Sequence, residues 1–169
     1  IDVLVSGSAI AAEDFGAVAF SPDGTRLGAA GHQGVPRFFD AGTGRETGSL
    51  GAHTEGVRTI AHGADGTLIV TCSADRACVW PAIADSAPAA WGGHSRAVAA
   101  LAYSRDGARL ASGSWDKTAI IRDTATGEPL LSIAVGFPVL ALDFSPDDTR
   151  LVTVEIGRAS CRERVSLNV

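Results

Sequence analysis

Hydrophobic residues along this chain alternate with small or polar residues in short runs, which is typical of half-buried β-strands. No stretch shows the 3.6-residue period of an amphipathic helix. Four of the runs are alike, and a leucine follows each one after a short polar segment. The runs hold Phe15, Val18 and Phe20; Val57, Ile60 and His62; Val98, Leu101 and Tyr103; and Val139, Leu142 and Phe144. The pattern therefore predicts an all-β fold.

A four-residue turn motif follows each run, at residues 21–24, 63–66, 104–107 and 145–148. Its third residue is always Asp, and its fourth is Gly in the first three copies, which suits the positive φ angles of a tight hairpin turn. The copies lie about 41 residues apart, a period that fits one four-stranded β-propeller blade. We predict repeats at about 11–50, 51–91, 92–133 and 134–155, the last one partial, forming about three to four blades of four antiparallel strands each.

The third repeat resembles the WD-repeat family, because Gly93 and His94 open it and residues 110–118 read LASGSWDKT. The resemblance implies a β-propeller in which a His, a strand Ser or Thr, a turn Asp and a strand Trp form a hydrogen-bonded structural tetrad. Arg122 occupies the place of the tetrad Trp in this repeat. The residues assigned to the tetrad are His94, Ser112 and Asp116 in the third repeat, and His53, Thr71, Asp75 and Trp80 in the second.

We interpret His94 and Asp116 as structural, since a buried imidazole is costly alone and much less so when a carboxylate orients it. A catalytic pair acting with Ser112 is the alternative, but an inward-facing strand serine has no evident oxyanion hole. The histidines are spread over different blades without an obvious carboxylate cluster, so the sequence predicts no metal site. We expect no catalytic residue and no cofactor.

Trp115, beside the turn Asp of the third repeat, is a candidate interface residue, because an exposed aromatic at a blade rim can anchor a partner. Packing against the neighbouring blade is the alternative. Arg122 would add polar contacts there. These features predict a non-catalytic protein-interaction scaffold whose partners are proteins or peptides. The alternative is the sensor or docking region of a larger bacterial enzyme, such as a protein kinase or protease fused to WD repeats; a propeller enzyme is a third reading.

The charge and the cysteine content limit which classes of partner and which cellular compartment we expect. The formal net charge is −5, and the basic residues form no stripe of the kind that binds nucleic acid. No apolar stretch is long enough to span a bilayer. The three cysteines lack metal-site or disulfide spacing, which favours free thiols in a reducing compartment, so we expect a cytoplasmic protein. The preference for Arg over Lys, with abundant Ala and Gly, suggests a GC-rich bacterial genome.

The repeat pattern stops at about residue 156. Residues 156–165 read IGRASCRERV, which resembles one translation frame of a common short-read sequencing adapter whose first two nucleotides complete the codon of Glu155. We therefore expect residues 1–155 to carry the repeats and residues 156–169 to be a non-native tail. We also expect an open arc that needs missing blades of the same protein for ring closure.

Overall fold

A computed structural model describes residues 15–32, 34–50, 56–63, 68–72, 77–80, 89–157, 160–163 and 167–168 of the chain. All regular elements among these residues are β-strands. Within this part of the chain there is no helix that could cross a lipid bilayer.

The first three sheets each contain four antiparallel strands that pair in chain order, and we call them the first, second and third blades. The first blade comprises β1 (Phe15–Phe20), β2 (Arg26–Gly31), β3 (Arg37–Asp40) and β4 (Glu46–Ser49). The second comprises β5 (Val57–His62), β6 (Leu68–Cys72), β7 (Ala77–Trp80) and β8 (Ala89–Trp91). The third comprises β9 (Val98–Tyr103), β10 (Arg109–Ser114), β11 (Thr118–Asp123) and β12 (Pro129–Ala134). The predicted all-β fold of four-stranded antiparallel sheets is confirmed.

The fourth blade departs from this order. It comprises β13 (Val139–Phe144), β14 (Arg150–Gly157), β15 (Ser160–Glu163) and β16 (Leu167–Asn168), and both β15 and β16 pair with β14. The departure begins where the repeat pattern stops, although β14 itself continues past Glu155. The non-native origin of residues 156–169 stays a prediction.

The turn motif folds through its own side chains. In the third blade the Ser104 hydroxyl donates to Asp106 Oδ1 at 2.6 Å, and the Arg109 N–H donates back to Ser104 Oγ at 2.9 Å. Gly107 closes the turn with a φ of 73°, a conformation that costs glycine little. The Ser-x-Asp-Gly sequence therefore sets the hairpin between the first two strands of the blade.

The equivalent turn of the fourth blade joins two blades together. Asp148 occupies the glycine position with a φ of 56°. Its carboxylate accepts the peptide N–H groups of Arg105 at 2.8 Å and Asp106 at 3.1 Å, while its own carbonyl oxygen accepts Arg109 Nη2 at 2.8 Å. Asn and Asp tolerate the left-handed region better than other side chains do. These three bonds tie the fourth-blade turn to the third-blade turn.

Apolar side chains on the first strands of the second and fourth blades pack against the preceding blade. Leu142 of β13 lies over Gly113 of β10, where an added Cβ would clash with Val139 Cγ1 and approach Leu142 Cδ2 to 2.8 Å. Ile60, at the equivalent place in β5, is 6% exposed and packs in a cluster with Ala30. Val18, at the same place in β1, is 65% exposed. The burial of these positions therefore depends on a neighbouring blade, and the outer face of β1 has none among the described residues.

Candidate functional site

His94 lies between β8 and β9 and joins two side chains of the β10–β11 hairpin. Its Nδ1 is 3.0 Å from Asp116 Oδ2, and its Nε2 is 2.9 Å from Ser112 Oγ. The side chains of His94 and Asp116 are only 4% and 7% exposed. The structure thus brings together the three residues assigned to the third-repeat tetrad. Their stabilising role stays a prediction.

Asp116 is the most connected member of this group. Its carboxylate also accepts the Ser95 N–H at 2.9 Å, the Thr118 N–H at 2.9 Å and the Thr118 hydroxyl at 2.6 Å. It therefore holds the β10–β11 turn closed and ties that turn to the segment before β9. Sequence reasoning missed Thr118. The signal was available, since Thr also stands two residues after the turn aspartates Asp23 and Asp147, which bond to it in the same way.

The charges in this group are set by burial and hydrogen bonding. Burial lowers the pKa of His94, and the attraction of Asp116 does not overcome this effect. Burial on its own would raise the pKa of Asp116, but the hydrogen bonds from Thr118 and Ser95 and the nearby His94 lower it overall. At neutral pH the imidazole is therefore neutral and the carboxylate ionised. These partners assign the tautomer: Nδ1–H donates to Asp116, and Nε2 accepts the Ser112 hydroxyl.

This order of Ser, His and Asp has the distances of a catalytic triad, but its serine is not accessible. Ser112 is 3% exposed, and its hydroxyl is also 3.4 Å from the Ile120 carbonyl oxygen. A nucleophile must reach a substrate carbonyl and an oxyanion must have donors beside it. The arrangement fits the predicted structural role, in which the group satisfies buried polar atoms and holds a turn, and that role stays a prediction.

Arg122 is buried, in contrast to the expectation that it adds surface contacts. Its Nη1 donates to the Gly127 carbonyl oxygen at 3.0 Å, and its Nη2 donates to the Gly92 carbonyl oxygen. Desolvation lowers its pKa. A Cβ at Gly93 would lie 2.8 Å from Nη2, so the neighbouring chain leaves room for the guanidinium. The side chain that replaces the tetrad Trp therefore bridges backbone segments inside the blade.

The described residues include only part of the second-repeat tetrad. His53 and Asp75 lie outside the described residues, and Thr71 in β6 and Trp80 in β7 are described at the backbone only. The backbone pairs Ile60 with Val70, whereas its third-blade counterpart Leu101 pairs with Ser112. The register of β6 on β5 therefore differs by one residue from the register of β10 on β9. The second tetrad stays a prediction.

Trp115, the candidate interface residue, is 39% exposed and lies in the turn just before Asp116. The guanidinium carbon of Arg58, from the second blade, lies 5.4 Å from the centre of its ring. The ring packs on a neighbouring blade and is still partly exposed, and its role at an interface stays a prediction. Arg58 is a site residue that the sequence analysis missed.

A cleft of about 610 Å³ opens beside this pair. It is lined by equivalent positions of the first strands of all four blades, together with His32 and Trp115 from equivalent turns. The strand positions are Gly16, Arg58, Ala99 and Leu140, with Val57 adding an apolar wall. The cleft therefore lies at the centre of the arc, where the blades converge. Within the described residues, no three His, Cys, Asp or Glu side chains cluster as metal ligands would.

Residues 44–80 and 88–123 match the family model of the WD domain, G-beta repeat. These two segments match WD repeats. All residues assigned to the two tetrads fall within the matched ranges. The WD repeat-containing protein 1 of Xenopus tropicalis is 40% identical over 74 residues, a match that covers 41% of this chain and 12% of that protein. The shared region is thus a small part of that longer WD-repeat protein.

Proposed function

We propose that this WD-repeat segment is a non-catalytic protein-interaction scaffold, and that a partner docks in the central cleft beside Trp115. The observation that carries the proposal is the exposed Arg58–Trp115 pair at the rim of a cleft of about 610 Å³. Trp and Arg are enriched among the residues that dominate binding energy at protein interfaces. The WD-repeat match supports a role in protein interaction.

The turn that carries Trp115 is held in place before any partner arrives. The Trp115 N–H donates to the Ala97 carbonyl oxygen at 2.9 Å, and the Ser114 hydroxyl donates to the Arg96 carbonyl oxygen at 3.1 Å. Asp116 secures the other side of the turn through Thr118. A preorganised anchor loses little conformational entropy on binding, which favours affinity.

The proposal includes a cytoplasmic location, in keeping with free cysteines. The comparisons give no support to the alternative, a sensor region fused to a bacterial kinase or protease.

The test is a comparison of partner capture by the tagged chain and two variants. Trp115→Ala removes the anchor, and Leu130→Ala is the matched control, because Leu130 is an exposed apolar residue of the outer strand β12. We expect proteins captured by the parent chain to be lost with Trp115→Ala and kept with Leu130→Ala. Each must then bind the purified chain directly. If Trp115→Ala captured the same partners as the parent chain, the binding surface would lie elsewhere.

A further inference from the structure

We propose that the segment bound in the central cleft is acidic, with a carboxylate that pairs with Arg58 and an adjacent apolar side chain against Trp115. This inference rests on the proposed function and adds the chemistry of the partner.

The charge of the cleft contrasts with that of the chain. Asp and Glu outnumber Lys and Arg by 19 to 14 in the sequence. Among the described residues that line the cleft, Arg58 and His32 are the ionisable ones, and none of these described residues is a carboxylate. A basic recess on an acidic protein attracts an acidic segment and repels a basic one.

Arg58 is specific to its repeat. The equivalent positions of the other first strands are Gly16, Ala99 and Leu140, so one repeat supplies the cationic group of this ring of positions. Its guanidinium forms no salt bridge with a carboxylate in the described part of the chain. Within the described residues, its charge is therefore not neutralised by a carboxylate.

The contact with Trp115 holds the guanidinium at the cleft, where it can meet a carboxylate. Its carbon lies over the ring, 5.4 Å from the ring centre, and the group carries five N–H donors along the edges of its plane. Two parallel N–H groups on such an edge match the two oxygens of a carboxylate. Val57 and Leu140 then offer apolar contact to a neighbouring side chain.

A nucleic acid fits this cleft less well than an acidic peptide does. Proteins that bind nucleic acids present stripes of basic residues that follow successive phosphates. Among the described lining residues one is an arginine, and the net charge of the chain is −5. A short peptide carrying one or two carboxylates requires no more than this.

The test follows the indole N–H signals of the ¹⁵N-labelled chain, which contains three tryptophans, with Trp115→Phe identifying the Trp115 signal. Three capped peptides of the same length and leucine content are titrated, bearing glutamate, glutamine or lysine. We expect the glutamate peptide alone to shift the Trp115 signal. Arg58→Gln should weaken that binding about tenfold, the effect of losing one charge-assisted hydrogen bond. Arg45→Gln, an exposed arginine in the β3–β4 turn, is the matched control and should leave the binding unchanged.

The outcomes separate the two proposals. Equal shifts with all three peptides, or glutamate binding that survives Arg58→Gln, would overturn the acidic partner. If no peptide binds but Trp115→Ala still abolishes capture of a cellular partner, the scaffold proposal stands and the acidic chemistry is wrong. If the glutamate peptide binds while Trp115→Ala leaves cellular capture intact, the cleft is acid-selective and the scaffold proposal has failed at this site.

Discussion

Replacing Asp116 with alanine tests whether the third-blade hydrogen-bond group is structural. The change removes the acceptor of four donor groups, on His94, on Ser95 and twice on Thr118. The His94 ring stays buried and loses the carboxylate partner of its Nδ1–H, while Thr118 Oγ1 remains 3.0 Å from Nδ1. Because the imidazole is neutral, the loss is that of hydrogen bonds between polar groups and not that of an isolated buried charge. We expect the free energy of unfolding to fall by about 1–3 kcal/mol.

The assay is urea unfolding followed by circular dichroism, on the parent, His94→Ala, Asp116→Ala and the double variant. If the two side chains act as a unit, the double variant should lose less than the sum of the single losses, with a coupling energy of about 0.5–3 kcal/mol. Asp40→Ala is the control, since Asp40 is a surface residue that caps the β3–β4 turn through Thr43. Asp40→Ala should lower the free energy of unfolding by less than Asp116→Ala does.

Two results would contradict the structural interpretation. If Asp116→Ala cost no more than Asp40→Ala, or if the cycle showed no coupling, the 3.0 Å contact would contribute nothing to stability. If stability were unchanged while a binding or catalytic activity vanished, the group would be functional and the structural interpretation wrong.

Four further predictions follow from individual positions. Asp148→Gly should lower the free energy of unfolding by about 1 kcal/mol, because the lost inter-blade hydrogen bonds outweigh the relief of a positive φ; an unchanged or raised urea midpoint would contradict this. Gly113→Ala should cost about 1–3 kcal/mol by overpacking against the fourth blade, whereas Gly48→Ala, where an added Cβ has open space, should not. Burial lowers the pKa of His62. The unfolded chain then takes up the proton first, so stability should be full above about pH 6.5 and fall below it; His62→Phe should flatten the melting temperature between pH 7 and 5, and an equally steep profile would count against it. Sequencing the native locus across residue 155 should show further repeat sequence in place of residues 156–169, and recovery of the same tail would refute its foreign origin.

Local physics explains what the sequence alone could predict. The Ser-x-Asp-Gly motif contains both partners of its own hydrogen bonds, as Ser104 and Asp106 show, so its geometry follows from neighbours in the chain. The contacts of His94 with Ser112 and Asp116 cross a hairpin, and there the family resemblance supplied the pairing. These features repeat, and repetition made them recognisable.

Contacts between blades could not be predicted in the same way. Asp148 departs from the glycine of its motif, but only the adjacent Arg105–Asp106 peptide groups show what its carboxylate does. Arg58 and Trp115 lie 57 positions apart in the sequence and belong to different repeats. Nothing in either repeat indicates that their side chains meet. Arg122 resembles a surface residue until the carbonyl groups that surround it are known. In each case the partner belongs to another segment.

The tetrad and the cleft share one turn, and this links stability to binding. Trp115 lies between Ser114 and Asp116, which both anchor the turn, so Asp116→Ala would displace the Trp115 ring without touching a partner. Arg58→Gln would remove a charge from the rim and leave the anchors of the turn intact. Asp116→Ala should therefore lower stability and peptide binding together, whereas Arg58→Gln should lower binding alone. If Asp116→Ala reduced peptide binding and left the free energy of unfolding unchanged, as Arg58→Gln should, the turn would need no support from His94.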